Sequence, residues 1–378
     1  MRNIKVIVFT MVVVAALALS ACGSAATPTA APQQPAAPAA TQAPATQAPA
    51  APAATQAPAA SAAPATAAPV ANPGQPSGFG KAACGPNCTF KDMVMCFPQL
   101  GAESDWRTAD TASFKDEAAK DGFKLIFSDA QQKQENQISA VRACIQQGVS
   151  VIALPPVVED GFDTVLTEAH NAGIPVIIVD RTVSAADALW VSHIGSDMVL
   201  EGNRAALEMN KLLPNGGSIL EISGTTGSGA AVGRSQGFRD KLNANIKILD
   251  TQTGDFTRAE AIPVVQAFLK KYTPGKDFQG MVFQNDDMGM GGLEALKAAG
   301  VKPGDLKIVS FDGTRNGFQA MVDGWFQADV ECNPLLAPQV ADMALKIMNG
   351  QTIPHEVLTN ETVYYPDNAA ALLPTRKY

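Results

Sequence analysis

The sequence predicts an α/β protein whose parallel β-sheets are divided between two lobes. Short apolar runs alternate with segments of helical spacing, which is the pattern of a parallel sheet covered by helices on both faces. The globular part of the 378-residue chain is about 290 residues long, which exceeds most single hydrophobic cores and suits two. Polar residues also follow several apolar runs directly, and they indicate where a ligand site would lie.

Residues 1–22 are predicted to be a lipoprotein signal peptide. Arg2 and Lys5 precede the apolar run VIVFTMVVVAALAL, which is too short to span a bilayer comfortably and is followed by small residues. The end of this segment reads LSAC and resembles the lipobox of bacterial lipoproteins. We therefore expect Cys22 to carry lipid and to anchor the protein to the extracytoplasmic face of the cell membrane. An ordinary export signal with an accidental cysteine is the alternative.

Residues 23–88 are predicted to be a disordered tether. As far as about Gly80 the segment contains almost only Ala, Pro, Thr, Gln and Ser, and the string ATQAPA recurs. Such a composition lacks the apolar side chains that would offset chain entropy, and its prolines favour extended conformations. The tether would hold the globular part away from the membrane surface.

Charge and cysteine content exclude some classes of protein. The formal net charge is −8 and no basic patch follows the signal, so no nucleic-acid partner is expected. The three histidines are isolated, without HExxH or CxxC partners, so neither a metal site nor a cofactor is expected. Cys84 and Cys88, in CGPNC, are spaced to close a small loop in an exported chain. With Cys96, Cys144 and Cys332 they form an odd set, so at least one thiol stays unpaired within the chain.

The alternation of apolar runs predicts individual strands and helices. The predicted strands are MVMCF, FKLIF, VSVIAL, IPVIIV, GSILEIS, IKIL, GMVFQ and LKIVSF. Two helical stripes are formed by Ile138, Val141 and Ile145, and by Phe162, Val165, Leu166 and Ala169. Three glycines are predicted to end helices, namely Gly122, Gly148 and Gly300.

Polar residues stand immediately after three of the predicted strands. Asp180 and Arg181 follow IPVIIV, Asn285 and Asp286 follow GMVFQ, and Asp312 follows LKIVSF. In parallel sheets, ligands bind beyond the carboxyl ends of the strands. These side chains are therefore predicted to converge on one rim.

These residues also carry a family resemblance. The stretches GAESDWR, SDAQQKQENQI, LPPVVEDGFD, IPVIIVDR, GDFTRA, NDDM and FDG resemble the periplasmic sugar-binding proteins of ABC importers, of type 1 fold, from about residue 92 to the end. Within that family the chain is most similar to the galactofuranose-binding proteins. The resemblance implies two doubly wound lobes joined by a hinge, with a monosaccharide bound between them. The expected N-terminal lobe comprises residues 89–193 and 332–358, and the C-terminal lobe comprises 194–331 and 359–378.

The resemblance also implies sugar-binding roles for particular side chains. The residues that match the family pattern are Glu103, Trp106, Arg107, Asp180, Arg181, Arg234, Phe256, Asn285 and Asp312. Cys332 is a departure, because it lies where related proteins often place a polar residue that touches the ligand. It would be buried and inert, with Glu331 or Asn333 reaching the cleft instead, and Asn333 is accordingly a further candidate.

Several of these residues have simpler interpretations. Asp180 and Arg181 could be an ion pair at a strand end, and Trp106 could cap the core of one lobe. Asp286 and Asp287 are interpreted as the first residues of a helix, where the helix dipole stabilises acidic side chains, so they are left out of the site.

Nucleotide and hydrolase functions are disfavoured. The stretch SGTTGSGAAVGR lacks the Lys-Ser/Thr ending of a P-loop and misses the GxGxxG spacing by one residue. No GxSxG elbow occurs. Asp180 and Asp312 could form a glycosidase pair, but neighbouring arginines are expected to keep both carboxylates ionised and so remove the general acid. Binding is therefore predicted rather than catalysis.

Two functions fit the sequence. One is a lipid-anchored, monomeric receptor that delivers a monosaccharide to an ABC permease and its ATPase. The other is a sensor that presents the bound sugar to a membrane kinase or chemoreceptor, and an exported glycoside-active enzyme is the less favoured third. The cluster of Glu103, Trp106 and Arg107 favours a galactose-type furanose, because an indole covers a C–H face while polar groups hold the exocyclic hydroxyls.

Overall fold

The computed structural model describes residues 84–378. The predicted signal peptide, the lipidation site Cys22 and most of the predicted tether lie outside these residues. The described chain contains alternating strands and helices. The strands are β1 (Val94–Gln99), β2 (Lys124–Asp129), β3 (Val151–Leu154), β4 (Val176–Val179), β5 (Ser192–Gly195), β6 (Gly217–Ser223), β7 (Ile246–Thr253), β8 (Gly280–Phe283), β9 (Lys307–Asp312), β10 (Ala328–Glu331), β11 (Glu356–Leu358) and β12 (Val363–Tyr364). The helices are α1 (Asp105–Asp121), α2 (Gln134–Gln146), α3 (Asp163–Asn171), α4 (Met198–Leu212), α5 (Gly229–Lys241), α6 (Arg258–Lys271), α7 (Asp286–Ala298), α8 (Arg315–Val322), α9 (Ala337–Met348) and α10 (Pro366–Leu372).

The strands form two separate six-stranded sheets. The first has the order β11-β5-β4-β3-β1-β2 and is parallel throughout. The second has the order β12-β10-β9-β8-β6-β7 and is parallel except for the edge strand β12, which runs antiparallel to β10. We call the first sheet with its helices the N-terminal lobe and the second sheet with its helices the C-terminal lobe.

Each sheet is buried on both faces, as a doubly wound fold requires. In β1, Met95 and Phe97 belong to the hydrophobic cluster that includes α9, whereas Cys96 points to the opposite cluster with α2 and α3. In β6, Leu220 and Ile222 face the cluster with α6 and α7, and Ile219 faces the cluster with α4. Alternate side chains of one strand therefore enter two different cores.

The chain passes between the lobes three times. The first crossing is residues 196–197 between β5 and α4, the second is 332–336 between β10 and α9, and the third is 359–362 between β11 and β12. The predicted boundary at residue 193 falls inside β5. This strand continues to Gly195, because His193, Ile194 and Gly195 all pair with β11.

All eight predicted strands are present, and β6 has the predicted bounds. The predicted helical stripes lie on α2 and α3, and Gly122, Gly148 and Gly300 follow helices with positive φ. Within the described part of the chain, the cysteines pair as Cys84–Cys88 and Cys96–Cys144, which leaves Cys332 unpaired and buried there. Among residues 84–378, no helix is long and apolar enough to span a membrane.

Candidate functional site

A cavity lies between the carboxyl ends of the two sheets. The non-atom space among its lining atoms, counted together with space open to solvent, is about 270 Å³. Nine of the ten predicted sugar-binding residues line it, and the exception is Asn333. The lining residues are Glu103, Ser104, Trp106, Arg107, Asp180, Arg181, Ala230, Arg234, Phe256, Asn285, Asp312 and Cys332. The convergence of strand-end polar groups that the sequence predicts is therefore observed.

Arg107 organises the N-terminal lobe's side of the cavity. It lies in the first turn of α1, whose N-cap Ser104 accepts a hydrogen bond of 3.1 Å from the Arg107 backbone N–H. Its guanidinium donates to three carboxylates, at 3.2 Å to Glu103, 3.1 Å to Asp110 and 2.6 Å to Asp180. Burial opposes the charge of Arg107, but these three carboxylates outweigh it and raise the pKa.

Asp110 completes this cluster although it does not line the cavity. It lies on α1 and accepts hydrogen bonds from Arg107 and, at 2.9 Å, from Nε2 of Gln99. Burial raises the pKa of Asp110 to about 7, although Arg107 acts in the opposite direction. Asp110 was not predicted from the sequence, because no local pattern distinguishes a buried acidic position of a helix from an exposed one.

Arg181 is held less completely than Arg107. Its Nη1 donates to the carbonyl oxygen of Val157 at 3.2 Å, and its Nη2 lies 3.6 Å from Oε1 of Glu103. Its Nε is buried without a hydrogen-bond partner, as is Oε2 of Glu103. Burial and the neighbouring Arg107 charge lower the pKa of Arg181 to about 10. A donor and an acceptor are thus left for a ligand.

Arg234 organises the C-terminal lobe's side from α5. Its Nε donates to Glu201 on α4 at 2.6 Å, its Nη1 donates to the carbonyl oxygen of Gln284, and its Nη2 donates to Asp312 at 3.2 Å. Burial raises the pKa of Glu201 to about 8. Glu201 was not predicted, for the same reason as Asp110.

The pKa of Asp312 is shifted in the direction opposite to the one expected. The sequence predicts that neighbouring arginines keep both candidate carboxylates, Asp180 and Asp312, ionised. Burial raises the pKa of Asp312 well above the ordinary value, although the charge of Arg234 acts to lower it. The reason is the depth of the site, since only 3% of Asp312 is exposed. The neighbouring arginine therefore does not by itself exclude a protonated Asp312 beside Asp180.

The side chains of Asn285 and Phe256 are held in place by contacts with nearby backbone atoms. Asn285 is the N-cap of α7, and its side chain accepts from Met288 N–H at 2.8 Å and donates to the Phe256 carbonyl oxygen at 3.1 Å. The ring of Phe256 lies directly on Gly224, where a Cβ would stand 1.9 Å from Cζ of the ring. Only glycine therefore permits this ring position. The guanidinium of Arg181 lies 4.9 Å from the ring centroid, across the gap between the lobes.

Three residues of the cavity have left-handed backbone angles. The φ values are 64° at Asp180, 61° at Phe256 and 103° at Asp312. Such angles are uncommon for residues other than glycine and cost on the order of 1–3 kcal/mol each. Asp180 and Asp312 leave strands β4 and β9 at these angles, and the turn directs both carboxylates into the cavity.

Asp286 and Asp287 begin helix α7, as predicted, and neither lines the cavity. Asp286 accepts hydrogen bonds from Ser310 Oγ at 2.7 Å and from the N–H and hydroxyl of Thr314, each at 2.8 Å. Asp287 accepts from the backbone N–H of Asp105 at 2.8 Å. The second carboxylate thus joins the C-terminal lobe to α1 of the N-terminal lobe.

Both interpretations of Trp106 apply. The side chain is 4% exposed and belongs to the hydrophobic cluster of the C-terminal lobe, yet it also lines the cavity. Its Nε1 donates to the carbonyl oxygen of Cys332 at 2.7 Å. This bond ties α1 to the second crossing.

Asn333, the further candidate from the sequence, lies outside this cavity. Cys332 itself lines the cavity, whereas Asn333 borders a separate cavity that also includes Glu331 and Arg376. The Asn333 side chain turns away because it accepts a hydrogen bond of 2.9 Å from the backbone N–H of Leu335. Glu331 also points elsewhere, since it pairs with Arg376 at 3.0 Å.

The two lobes are in contact around the cavity. The backbone N–H of Glu159 donates to the carbonyl oxygen of Gly227 at 2.9 Å, and Asn316 donates to the carboxylate of Asp105. At Gly229, the first residue of α5, a Cβ would stand 2.6 Å from Oγ1 of Thr182 on the opposite lobe. The described structure is therefore a closed arrangement.

The chain matches known proteins over most of its length. Residues 97–352 match the family model described as "Periplasmic binding protein domain". The chain is 41% identical over 292 residues to the galactofuranose-binding protein YtfQ of Escherichia coli (strain K12), an alignment that covers 75% of this chain and 92% of the relative.

Two solved structures are also similar. One, from Mycobacterium smegmatis in complex with β-D-fucofuranose, is 46% identical with a TM-score of 0.73, and the match covers 76% of this chain and 95% of that one. The other is the binding component of the arabinose ABC transporter from Shewanella sp. ANA-3, bound to α- and β-L-arabinofuranose. It is 40% identical with a TM-score of 0.73, and the match covers 75% of this chain and 96% of that one.

Proposed function

Because this chain belongs to the periplasmic binding protein family, we propose that it captures a monosaccharide in its furanose form between two lobes and delivers it to an ABC permease. Its relatives are solute-binding proteins, and the chain is a binding protein and not an enzyme.

The observation that carries the proposal is the pairing of three arginines with three carboxylates in one buried cavity. Arg107, Arg181 and Arg234 line it together with Glu103, Asp180 and Asp312. A sugar hydroxyl is a donor and an acceptor at once, so it suits a site that offers both kinds of group side by side. Nε of Arg181 and Oε2 of Glu103 have no hydrogen-bond partner within the protein, and we expect them to bind such hydroxyls.

The aromatic residues of the cavity support a sugar rather than a small ion. Trp106 and Phe256 supply apolar surface for the C–H faces of a sugar ring.

The furanose form is supported by the relatives and by the chemistry of the site. The relatives named above are described with galactofuranose, fucofuranose and arabinofuranose. A six-membered ring places its hydroxyls at different heights and lacks the free two-carbon side chain. Some of the buried polar groups would then stay unpaired, which is a strong source of discrimination.

A titration panel tests this proposal. Purified protein is titrated with galactose, arabinose, ribose, xylose and glucose, by calorimetry and by tryptophan fluorescence. Galactose binds as its furanose form, so the apparent affinity per furanose molecule should exceed that of every pyranose and of ribose. The fluorescence change should disappear in Trp106→Phe. Tighter binding of glucose or ribose than of any galactose form would refute the sugar assignment and leave the fold unaffected.

We also propose that the protein acts as a monomer held at the membrane by lipid on Cys22. The proposed lobes are residues 89–195 with 332–358, and 196–331 with 359–378. The LSAC sequence at residues 19–22 and the composition of the following segment support the anchor and its tether.

A further inference from the structure

The three crossings between the lobes meet at one carboxylate oxygen. Oε1 of Glu361, in the third crossing, accepts hydrogen bonds from Ser196 Oγ at 2.5 Å, from Asn333 N–H at 2.9 Å and from Thr359 Oγ1 at 2.7 Å. Ser196 belongs to the first crossing, Asn333 to the second and Thr359 to the third. One atom therefore bonds to every segment that joins the lobes.

This junction is buried, although Ser196 Oγ also lies 3.3 Å from Thr359 Oγ1, and Thr359 Oγ1 also donates to the Gly195 carbonyl oxygen at 3.2 Å. Glu361 is 7% exposed and Ser196 is 4% exposed. Donors that lose a buried acceptor keep an unpaired polar group. Removing the carboxylate would therefore leave donors from three crossings without their common partner.

The junction lies next to the ligand cavity. One carboxylate oxygen of Glu361, one carboxylate oxygen of Glu201 and the Sγ atom of Cys332 all lie within 4.8 Å of one another. Cys332 lines the cavity, and Glu201 binds the guanidinium of Arg234, which also lines it. Only one layer of side chains thus separates Glu361 from the proposed sugar.

We propose that Glu361 is a positioning residue that fixes the closed angle between the lobes and thereby sets the affinity of the site. This inference rests on the proposed function, in which closure around a sugar is the binding event. Opening must rotate the lobes about the three crossings, and such a rotation changes the relative positions of the donors that converge on Oε1. The observed junction fits the closed angle, so it favours the closed population before any ligand arrives. Apparent affinity scales with the fraction of molecules in the binding-competent state.

Two backbone amides report closure directly. The N–H of Glu159 donates to Gly227 and the N–H of Asp105 donates to Asp287, in both cases across the lobes. Hydrogen exchange of the full chain, measured by mass spectrometry on peptides that contain these amides, follows closure without any ligand. Peptides from β3 and β8, which are buried within single lobes, serve as the internal reference for global stability.

In sugar-free protein, Glu361→Ala should raise exchange at the Asp105 and Glu159 amides roughly tenfold, with the β3 and β8 peptides unchanged. Glu361→Gln keeps an acceptor oxygen without the charge and should lie between the wild type and Glu361→Ala. Glu294→Gln, at an exposed position of α7, is the matched control and should behave as the wild type. The apparent affinity for D-galactose should fall in the same order as exchange rises.

Two outcomes would overturn the inference. One is wild-type exchange at both cross-lobe amides in Glu361→Ala. The other is an equal rise in the β3 and β8 peptides, which would show general destabilisation instead of a change in closure. Should Glu361→Ala not fold, Glu361→Gln and Ser196→Ala decide the matter by the same comparison. Exchange in sugar-free protein is independent of the ligand, so a failure of D-galactose to bind any variant would count against the proposed function alone.

Discussion

The carboxylate of Asp180 accepts a hydrogen bond of 2.6 Å from Nη2 of Arg107, and neither side chain is more than 4% exposed. The same guanidinium also binds Glu103 and Asp110, so its donors serve the protein itself. Arg181, next to Asp180 in sequence, retains a buried Nε that has no hydrogen-bond partner and lies 3.8 Å from a carboxylate oxygen of Asp180. The two arginines thus differ in their surroundings, which suits Arg107 to support of the site and Arg181 to the ligand contact proposed above.

Arg107→Met is expected to destabilise the fold. The substitution keeps much of the side-chain volume but leaves three buried carboxylates without their shared cation, so the free energy of unfolding should fall by about 3–5 kcal/mol. Urea denaturation measures this change. Arg142→Ala removes a surface arginine that pairs with Glu168, and its stability should stay close to the wild type. Equal stability of the two variants would contradict the supporting role of Arg107.

Arg181→Ala is expected to weaken sugar binding with little loss of stability. Loss of its buried donors leaves hydroxyls unpaired, and affinity for D-galactose should fall about a hundredfold or more. Burial already disfavours the charged form of this arginine, as its lowered pKa of about 10 indicates, so the folded chain loses little without it. Calorimetry and thermal unfolding separate the two effects. An affinity within a fewfold of the wild type would place the ligand elsewhere.

Gly229→Ala is expected to hinder closure without disturbing the C-terminal lobe. The added Cβ would stand 2.6 Å from Thr182 Oγ1 and 2.9 Å from Thr182 N, so the closed lobes would clash at a backbone atom. Alanine is a good helix former at the first position of α5, so stability should not fall. Affinity for D-galactose should drop at least about tenfold.

The matched control for this variant is Gly300→Ala. Gly300 is an exposed glycine at which a Cβ would meet no atom within 4 Å, although its positive φ of 82° adds a small strain. It should lower stability slightly and leave affinity unchanged. The Gly229 proposal fails if both variants bind sugar equally well.

Affinity is expected to depend on pH through Asp287. Burial, and then the carboxylate of Asp105, raise the pKa of Asp287 to about 7 in the closed arrangement. With the lobes apart, the carboxylate regains water and its pKa returns toward 3.8, so closure takes up a proton between these values. Asp287 therefore lowers sugar affinity as the pH rises from about 4 to about 7. Calorimetry across this range should give a flatter profile for Asp287→Asn, and an unchanged slope would exclude the contribution.

Membrane retention is expected to depend on the sulfur of Cys22. Cys22→Ser cannot accept a thioether-linked lipid, so the protein should move from the membrane fraction to the soluble fraction of fractionated cells. Sugar affinity of the released protein should equal that of the anchored form. Unchanged retention would show that another element holds the protein at the membrane.

The alternation of apolar runs predicted most of the fold because eight strands carry enough apolar residues to stand out. Strands β5, β10 and β11 are not among the eight predicted runs, since SHIG, ADVE and EVL are short and each contains polar residues. Strands β5 and β11 pair with each other. The lone antiparallel strand β12 has only two residues, and no local pattern marks it.

The candidate site was predictable from the sequence where its polar residues follow the end of a strand. Asp180, Asn285 and Asp312 follow directly from strand ends, and the family resemblance added residues such as Glu103 and Arg234. The partners that hold these side chains, Asp110 and Glu201, lie on helices and become buried only when distant elements pack together. Their roles depend on tertiary structure, which a single sequence does not display. The same holds for Asn333, whose direction is set by a bond to Leu335.

The left-handed backbone angles of Asp180, Phe256 and Asp312 are fixed when the protein folds, before a sugar binds. Residues other than glycine rarely adopt these angles in an unfolded chain. The free-energy cost of fixing them is therefore part of the free energy of folding and not of sugar binding. Each lobe folds around its own share of these residues, since Asp180 follows β4 and the other two lie in the C-terminal lobe. The sugar therefore meets side chains whose directions are already set, and its binding loses little conformational entropy on the protein's side.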